Sequence, residues 1–204
     1  MTEKQPKWAP RLARWAIVLT LVALIIAALS LTLARYDLIP KFAGFSAFLG
    51  GGLLAVLATL SGLAALIAGR SMPGLRSGKL LGALAVSAVF AGFLLSRPMA
   101  AGEIPAIHDI STDLANPPQF ATLSLRSDNL AGVGTVENWQ KLHAKGYPDL
   151  KTVTIAKPVG EVMAKALKQV EAADWKVAKS DPQTGTIEAT ASVSYIRFQD
   201  DVLI

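Results

Sequence analysis

Three long runs without a charged residue occupy the first half of the chain. They cover residues 15–34, 42–69 and 80–96. A helix needs about 20 apolar residues to cross a hydrocarbon core about 30 Å thick. The pattern therefore predicts a three-helix membrane anchor over residues 15–97, with spans at about 15–34, 45–68 and 80–96, after an N-terminal segment of residues 1–14.

The basic residues that flank these runs predict their orientation. Four lie before the first span (Lys4, Lys7, Arg11, Arg14), three lie between the second and third (Arg70, Arg76, Lys79), and two lie in the remaining loop (Arg35, Lys41). Short cytoplasmic loops carry an excess of Lys and Arg. We therefore expect a protein of the bacterial inner membrane, with a cytoplasmic N-terminus and residues 98–204 in the periplasm.

Residues 98–204 change to short periodic elements. Apolar positions at helical spacing predict a helix from Pro158 to about Ala173, and alternation from Ile187 to Tyr195, with polar Glu188, Thr190 and Ser192 between, predicts a strand with one covered face. Further elements are predicted by turn residues and short apolar runs: a helix Trp139–Lys145 capped by Asn138, strands Lys151–Ala156, Trp175–Ala178 and Val202–Ile204, and a hairpin turn Gln199–Asp201. The predicted fold class is a helical membrane anchor followed by a small α+β domain with an antiparallel sheet.

The sequence stops inside a predicted strand. Val202, Leu203 and Ile204 would begin a strand whose edge groups and apolar side chains have no partner further along the chain. Exposed apolar edges favour unwanted strand pairing. We therefore expect the domain of residues 98–204 to be truncated at its C-terminal end.

The charge distribution argues against binding to nucleic acid. The formal charge is +5, but residues 1–96 hold nine basic and two acidic residues, whereas the remainder holds eleven basic and thirteen acidic residues. The excess positive charge thus belongs to the membrane flanks, where membrane lipids are the expected partner. The chain contains no cysteine, which excludes thiol catalysis and disulfides, and no phosphate-binding or dinucleotide motif occurs, so no cofactor is predicted.

Small residues recur at four-residue spacing in the second and third spans. The stripes are Ala58 with Gly62, Ser61 with Ala65 and Gly69, and Ala83 with Ser87 and Ala91. Such stripes let helix backbones approach closely. They indicate packing within the chain's own bundle or docking of another membrane-protein subunit. No ionisable residue interrupts a span, which disfavours a transporter or channel.

The most site-like polar cluster follows the membrane anchor. His108, Asp109 and Asp113 offer imidazole and carboxylate ligands for a divalent metal, and Asp200 or Asp201 could complete the set. The alternative is that these short polar side chains hydrogen-bond the backbone of a loop. The second histidine, at position 143, lies on a polar helix and is expected to be solvated.

Four segments together resemble one bacterial family. They are Pro105–Asp113, Pro117–Phe120, Tyr147–Asp149 and Arg197–Val202. They are similar to the family known as domain of unknown function 1499, over roughly residues 104–204. The resemblance implies a small envelope domain, often behind membrane helices, without an established catalytic mechanism. Family members usually continue into a C-terminal helix that this sequence lacks, which agrees with the expected truncation.

Three functional hypotheses follow. The first is a non-catalytic accessory or scaffolding subunit of a membrane complex, motivated by the small-residue stripes. The second is a periplasmic module that binds a lipid or small ligand between the helix Pro158–Ala173 and its sheet. The third is a metal-dependent envelope enzyme centred on His108.

Overall fold

The computed structural model describes residues 6–102, 104–124 and 129–204. The described elements are five helices and three strands: α1 (Ala9–Arg35), α2 (Lys41–Ala68), α3 (Gly78–Ala101), α4 (Val136–Gly146), α5 (Val159–Ala172), β1 (Lys176–Asp181), β2 (Thr186–Val193) and β3 (Phe198–Leu203). The chain divides into a helical unit, α1 to α3, and an α+β unit. The predicted fold class is confirmed.

The three predicted spans lie inside α1, α2 and α3, which are long and apolar enough to cross a membrane. The first and third helices extend beyond their uncharged runs, and the second nearly coincides with its run. The first begins at Ala9, where Pro10 occupies the first turn and Arg11 and Arg14 are already helical. A proline there loses no helical hydrogen bond. The third helix continues past the predicted end of its span at residue 96, through Pro98 to Ala101.

Small residues form a continuous buried stripe along α1. They recur alternately every four and every three positions: Ala9, Ala13, Ala16, Thr20, Ala23, Ala27, Ser30 and Ala34. The buried residues of α2 are equally small: Gly44, Gly51, Gly52, Ala55, Ala58, Gly62 and Ala65. An average repeat of 3.5 residues is the pattern of a left-handed helix pair.

The stripes of α1 and α2 face each other in antiparallel order. Gly44 lies against Ala34, and a Cβ built on Gly51 would stand 3.0 Å from the carbonyl oxygen of Ala23. At the other end of the helix pair, a Cβ built on Gly62 would stand 3.5 Å from the Cβ of Ala16. The absence of larger side chains therefore allows the two backbones to come into direct contact.

The third helix packs on this pair through Leu80, Ser87 and Ala91. The Oγ1 atom of Thr59 donates a hydrogen bond of 2.9 Å to Ser87 Oγ, linking α2 to α3. Of the small residues singled out in the sequence, six are buried within the bundle and two, Ser61 and Ala83, are half-buried; the six are Ala58, Gly62, Ala65, Gly69, Ser87 and Ala91.

In the α+β unit, α5 packs on a three-stranded antiparallel sheet of order β1-β2-β3. The helix begins directly after Pro158 and buries Met163 and Val170, while Lys165 and Lys168 are exposed, as the periodicity predicts. The side chains of Ile187 and Ala189 on β2 are buried. The core of this unit therefore centres on β2, the middle strand.

The predicted hairpin turn Gln199–Asp201 is wrong. The chain reverses over residues 194–197, where Ser194 and Arg197 adopt positive φ angles of 64° and 63°. Asp200 and Asp201 lie within β3, opposite Ala191 and Thr190. The Thr190 hydroxyl donates a hydrogen bond of 2.7 Å to Asp201, which supports this cross-strand pairing.

Two other predicted elements need correction. The helix α4 begins at Val136, because the Thr135 hydroxyl, rather than Asn138, is the cap and accepts a bond from the Asn138 N–H. Residues 151–156, predicted to be a strand, belong to no described sheet. The side chains of Val153 and Ile155 instead lie beside α5, with Val153 78% exposed.

Candidate functional site

Residues 109–123, called the strap below, form no helix or strand and are held by side chains of other elements. The indole N–H of Trp139 donates to the Asp109 carbonyl at 2.9 Å. The amide of Gln140 donates to the Leu114 carbonyl at 2.7 Å. Because irregular backbone lacks the internal bonds of a helix or sheet, these side chains satisfy groups that would otherwise need water.

His143 is the central support of the strap. Its side chain is 0% exposed, packed between Trp139 and Tyr147 one turn away on either side. Its Nε2 atom accepts a 3.1 Å hydrogen bond from the Ser111 N–H. Nε2 therefore carries the lone pair, and the proton sits on Nδ1, which has no partner among the described residues. This histidine was expected to be solvated, and that expectation is wrong.

The substitution His143→Phe is expected to loosen the strap. Phenylalanine keeps the aromatic packing but leaves the buried N–H of Ser111 without an acceptor, which costs about 1–3 kcal/mol. Thermal unfolding of the full-length protein in mild detergent measures the loss. The matched control is His108→Phe, at an exposed histidine, which should change stability by no more than about 0.5 kcal/mol. Equal effects of the two substitutions would contradict the role of His143 as a support of the strap.

The candidate metal ligands are placed as follows. His108 is exposed, and Asp109 accepts a 3.3 Å bond from Asn129. Asp113 accepts backbone N–H bonds of 3.0 and 2.9 Å from Ala115 and Asn116. Within the described residues, no three His, Asp or Glu side chains lie close enough to hold a metal ion. The contacts observed for both aspartates are those of a hydrogen-bonded loop.

Glu188 is the second support of the strap, and the alternation along β2 had placed it on a solvated face. Its side chain is only 2% exposed. The carboxylate accepts bonds of 2.7–3.1 Å from three consecutive backbone N–H groups, those of Ala121, Thr122 and Leu123. Successive N–H groups that point to one spot form an anion-binding concavity. Here an internal carboxylate occupies it.

These bonds shift the ionisation of Glu188. The backbone N–H of Leu123, more than any other group, lowers the pKa of the carboxyl below its ordinary 4.5, against the opposing effect of burial. Those of Ala121 and Thr122 act in the same direction. The carboxylate is therefore ionised at neutral pH, as the contacts require, because a protonated oxygen would face a donor.

An apolar groove lies between α5, the segment of residues 153–157 and the sheet at Ile187, and we call it the α5 groove. It has a volume of about 240 Å³ and is lined mainly by Val153, Ile155, Val159, Met163, Ala166 and Ile204. Three of these residues are more than half exposed: Val153 (78%), Val159 (61%) and Ile155 (54%). Lys157 is the charged member of the lining. The groove thus presents apolar surface that the described residues leave open to solvent.

Comparison with known proteins gives one match. No curated protein and no protein of solved structure matches the sequence significantly. The model of the family described as "Protein of unknown function (DUF1499)" matches residues 109–204, the part that holds the strap, α4, α5 and the sheet. The resemblance seen in the sequence is confirmed, and this part of the chain is a domain of the DUF1499 family.

Proposed function

We propose that the domain of residues 109–204 is a non-catalytic module, anchored at a membrane, that binds the linear acyl chain of a lipid in the α5 groove. The observation that carries this proposal is the open apolar groove itself. Large exposed apolar surfaces on a folded domain usually mark binding sites. Three membrane helices in the same chain keep the module close to a supply of lipid.

The volume of the groove fits one chain of moderate length. Its 240 Å³ is about eight times the 30 Å³ that one water molecule, or a methylene group of similar size, takes up. Burial of eight methylenes contributes about 6 kcal/mol at about 0.8 kcal/mol each. Because association costs at least about 4 kcal/mol, at most about 2 kcal/mol remains, and we expect an eight-carbon ligand to bind weakly.

The polar groups support a non-catalytic role. His143 and Glu188 are buried and hold the strap, and Asp113 holds its own loop. General acids, bases and nucleophiles must reach a substrate. These three side chains are therefore occupied in the fold, whereas the apolar groove is not.

The accessory-subunit hypothesis was motivated by small residues in α2 and α3. Those residues are buried or half-buried inside the chain's own bundle, so packing accounts for them without a second protein. No described feature identifies another subunit. The lipid-binding hypothesis has a groove of suitable size and character in its favour, and we prefer it for that reason.

The proposal also includes the location of the protein. The distribution of Lys and Arg around the spans supports a bacterial inner-membrane protein with a cytoplasmic N-terminus. The groove would then lie on the periplasmic side. A lipid chain taken up there would come from the outer leaflet or from lipid in transit across the envelope.

A single introduced cysteine tests the groove, because the chain contains none. Full-length protein carrying Val159→Cys is placed in lipid nanodiscs, and the rate of alkylation by a maleimide is measured with and without 1-octanol. We expect octanol at its Kd to slow alkylation about twofold, because half of the sites are occupied. Adding Ala166→Leu should abolish this protection, since it fills the groove from the face of α5 that lines it.

The matched control is Ala164→Leu, two positions away on the exposed side of the same helix. It should leave the protection by octanol unchanged. Absence of protection in the Val159→Cys protein would overturn the proposed function. Protection that persists with Ala166→Leu would place the bound octanol elsewhere and would overturn it as well.

A further inference from the structure

We infer that the α5 groove selects a single-chain lipid with an anionic head group, which lies at Lys157 while the chain fills the groove. This inference rests on the proposed function and adds the class of ligand to it. Lys157 is the charged residue of the groove lining, and its side chain is 57% exposed. The ammonium group is therefore hydrated and available beside the apolar lining.

The neighbouring charges leave Lys157 largely uncompensated. Its Nζ atom lies 3.8 Å from Glu161 Oε1, near the limit of an ion pair. The same oxygen accepts a 3.0 Å hydrogen bond from Lys165, which is the closer partner. One carboxylate thus serves two ammonium groups, and the trio carries a net charge of +1 beside the groove.

The start of α5 adds to this positive potential. Its first residue, Val159, lines the groove, and no side chain caps the helix N-terminus. The N-terminal end of a helix carries a partial positive charge from its unpaired N–H groups. Glu161, in the first turn, is already counted in the trio, so Lys157 and this helix end together still favour an anion beside the groove and disfavour a cationic head group.

The complementary ligand is accordingly an amphiphile with one chain. About eight methylenes fit within the groove volume, and a carboxylate head at the mouth would pair with the ammonium of Lys157. Two-chain lipids would leave one chain outside a groove of this size. A medium-chain fatty acid is the simplest member of the class, and octanoate is the probe we choose.

The test compares three ligands of equal chain length on the full-length Val159→Cys protein in nanodiscs. Octanoate, 1-octanol and octylamine are titrated, and the concentration that halves the alkylation rate is measured for each. Exposed charge pairs are weak, so we expect octanoate to bind about three- to fivefold tighter than octanol, and octylamine to bind weakest. Lys157→Gln should remove the advantage of octanoate, and Lys157→Arg should keep it.

The control is Lys168→Gln, which removes the same charge from an exposed position of α5 outside the groove and outside the trio. It should preserve the preference for octanoate. Equal binding of octanoate and octanol to the Val159→Cys protein would overturn the head-group inference and leave the proposed function standing. Failure of all three ligands to protect the cysteine would instead overturn the proposed function.

Discussion

The substitution Glu188→Gln is expected to release the strap from β2. Glutamine has nearly the same shape but replaces one acceptor oxygen with an NH₂ donor, which then faces the N–H groups of residues 121–123. Two donors that point at each other in a buried place cannot both be satisfied. We expect amide exchange in residues 109–123 to rise about tenfold or more, and the Tm to fall by about 5 °C or more.

Hydrogen–deuterium exchange with mass spectrometry on the full-length protein in detergent measures the release. The matched control is Glu171→Gln on the exposed side of α5, which should leave exchange in the strap unchanged. An unaltered strap in the Glu188→Gln protein would show that the carboxylate is not what holds it.

The same carboxylate makes the attachment of the strap dependent on pH. Because the pKa of Glu188 is lower in the folded state than its ordinary 4.5, ionisation stabilises the fold fully at pH values above 4.5. That contribution is lost as the pH falls through the lowered, folded-state pKa. We therefore expect the exchange difference between parent and Glu188→Gln proteins to be constant from pH 7 to 5.5 and to shrink well below pH 4.5. A difference that shrinks near neutral pH would contradict this.

The substitution Gly51→Leu is expected to disrupt the packing of α1 on α2. A Cβ at this position alone would stand 3.0 Å from the Ala23 carbonyl oxygen and 3.5 Å from the Ala27 nitrogen. These are backbone atoms, which cannot move away by a change of rotamer as side-chain atoms can. Overpacking of this kind costs about 1–3 kcal/mol. Thermal unfolding followed by circular dichroism in mild detergent measures it.

The neighbouring Gly50 provides the control. A Cβ there would meet nothing within 4 Å, and the position is exposed. Leucine gains about the same helix propensity over glycine at either position, roughly 0.8 kcal/mol. The difference between Gly51→Leu and Gly50→Leu therefore isolates the packing of the helix pair. A similar Tm for the two variants would mean that α1 and α2 do not approach as closely as described.

The parts of the structure that depend on neighbouring residues could be predicted from the sequence. The three spans and α5 were visible as uncharged runs and as helical periodicity around Met163 and Val170. The stripe of α1 was missed although its signal was present, because Ala, Ser and Thr at positions 9 to 34 repeat with the same 3.5-residue period. The small residues of α2 and α3 alone do not reveal the stripe of α1, which is their partner in the bundle.

The supports of the strap could not be predicted, because their partners are distant in sequence. Glu188 meets residues 121–123 across at least 65 positions, and His143 meets Ser111 across 32. The alternation along β2 records only that every second residue faces one side of the sheet. It carries no information about whether a distant loop covers the other side. In the sequence, the buried Glu188 therefore could not be distinguished from a solvated residue.

The close pairing of α1 and α2 has a consequence for the synthesis of the protein. These helices follow each other in the chain, with only residues 36–40 between them, and their contact uses small side chains that need little rearrangement to fit. Contacts between neighbouring segments close short loops and form fast. We expect this hairpin to assemble while the ribosome is still translating later codons, so that α3 joins a surface that already exists.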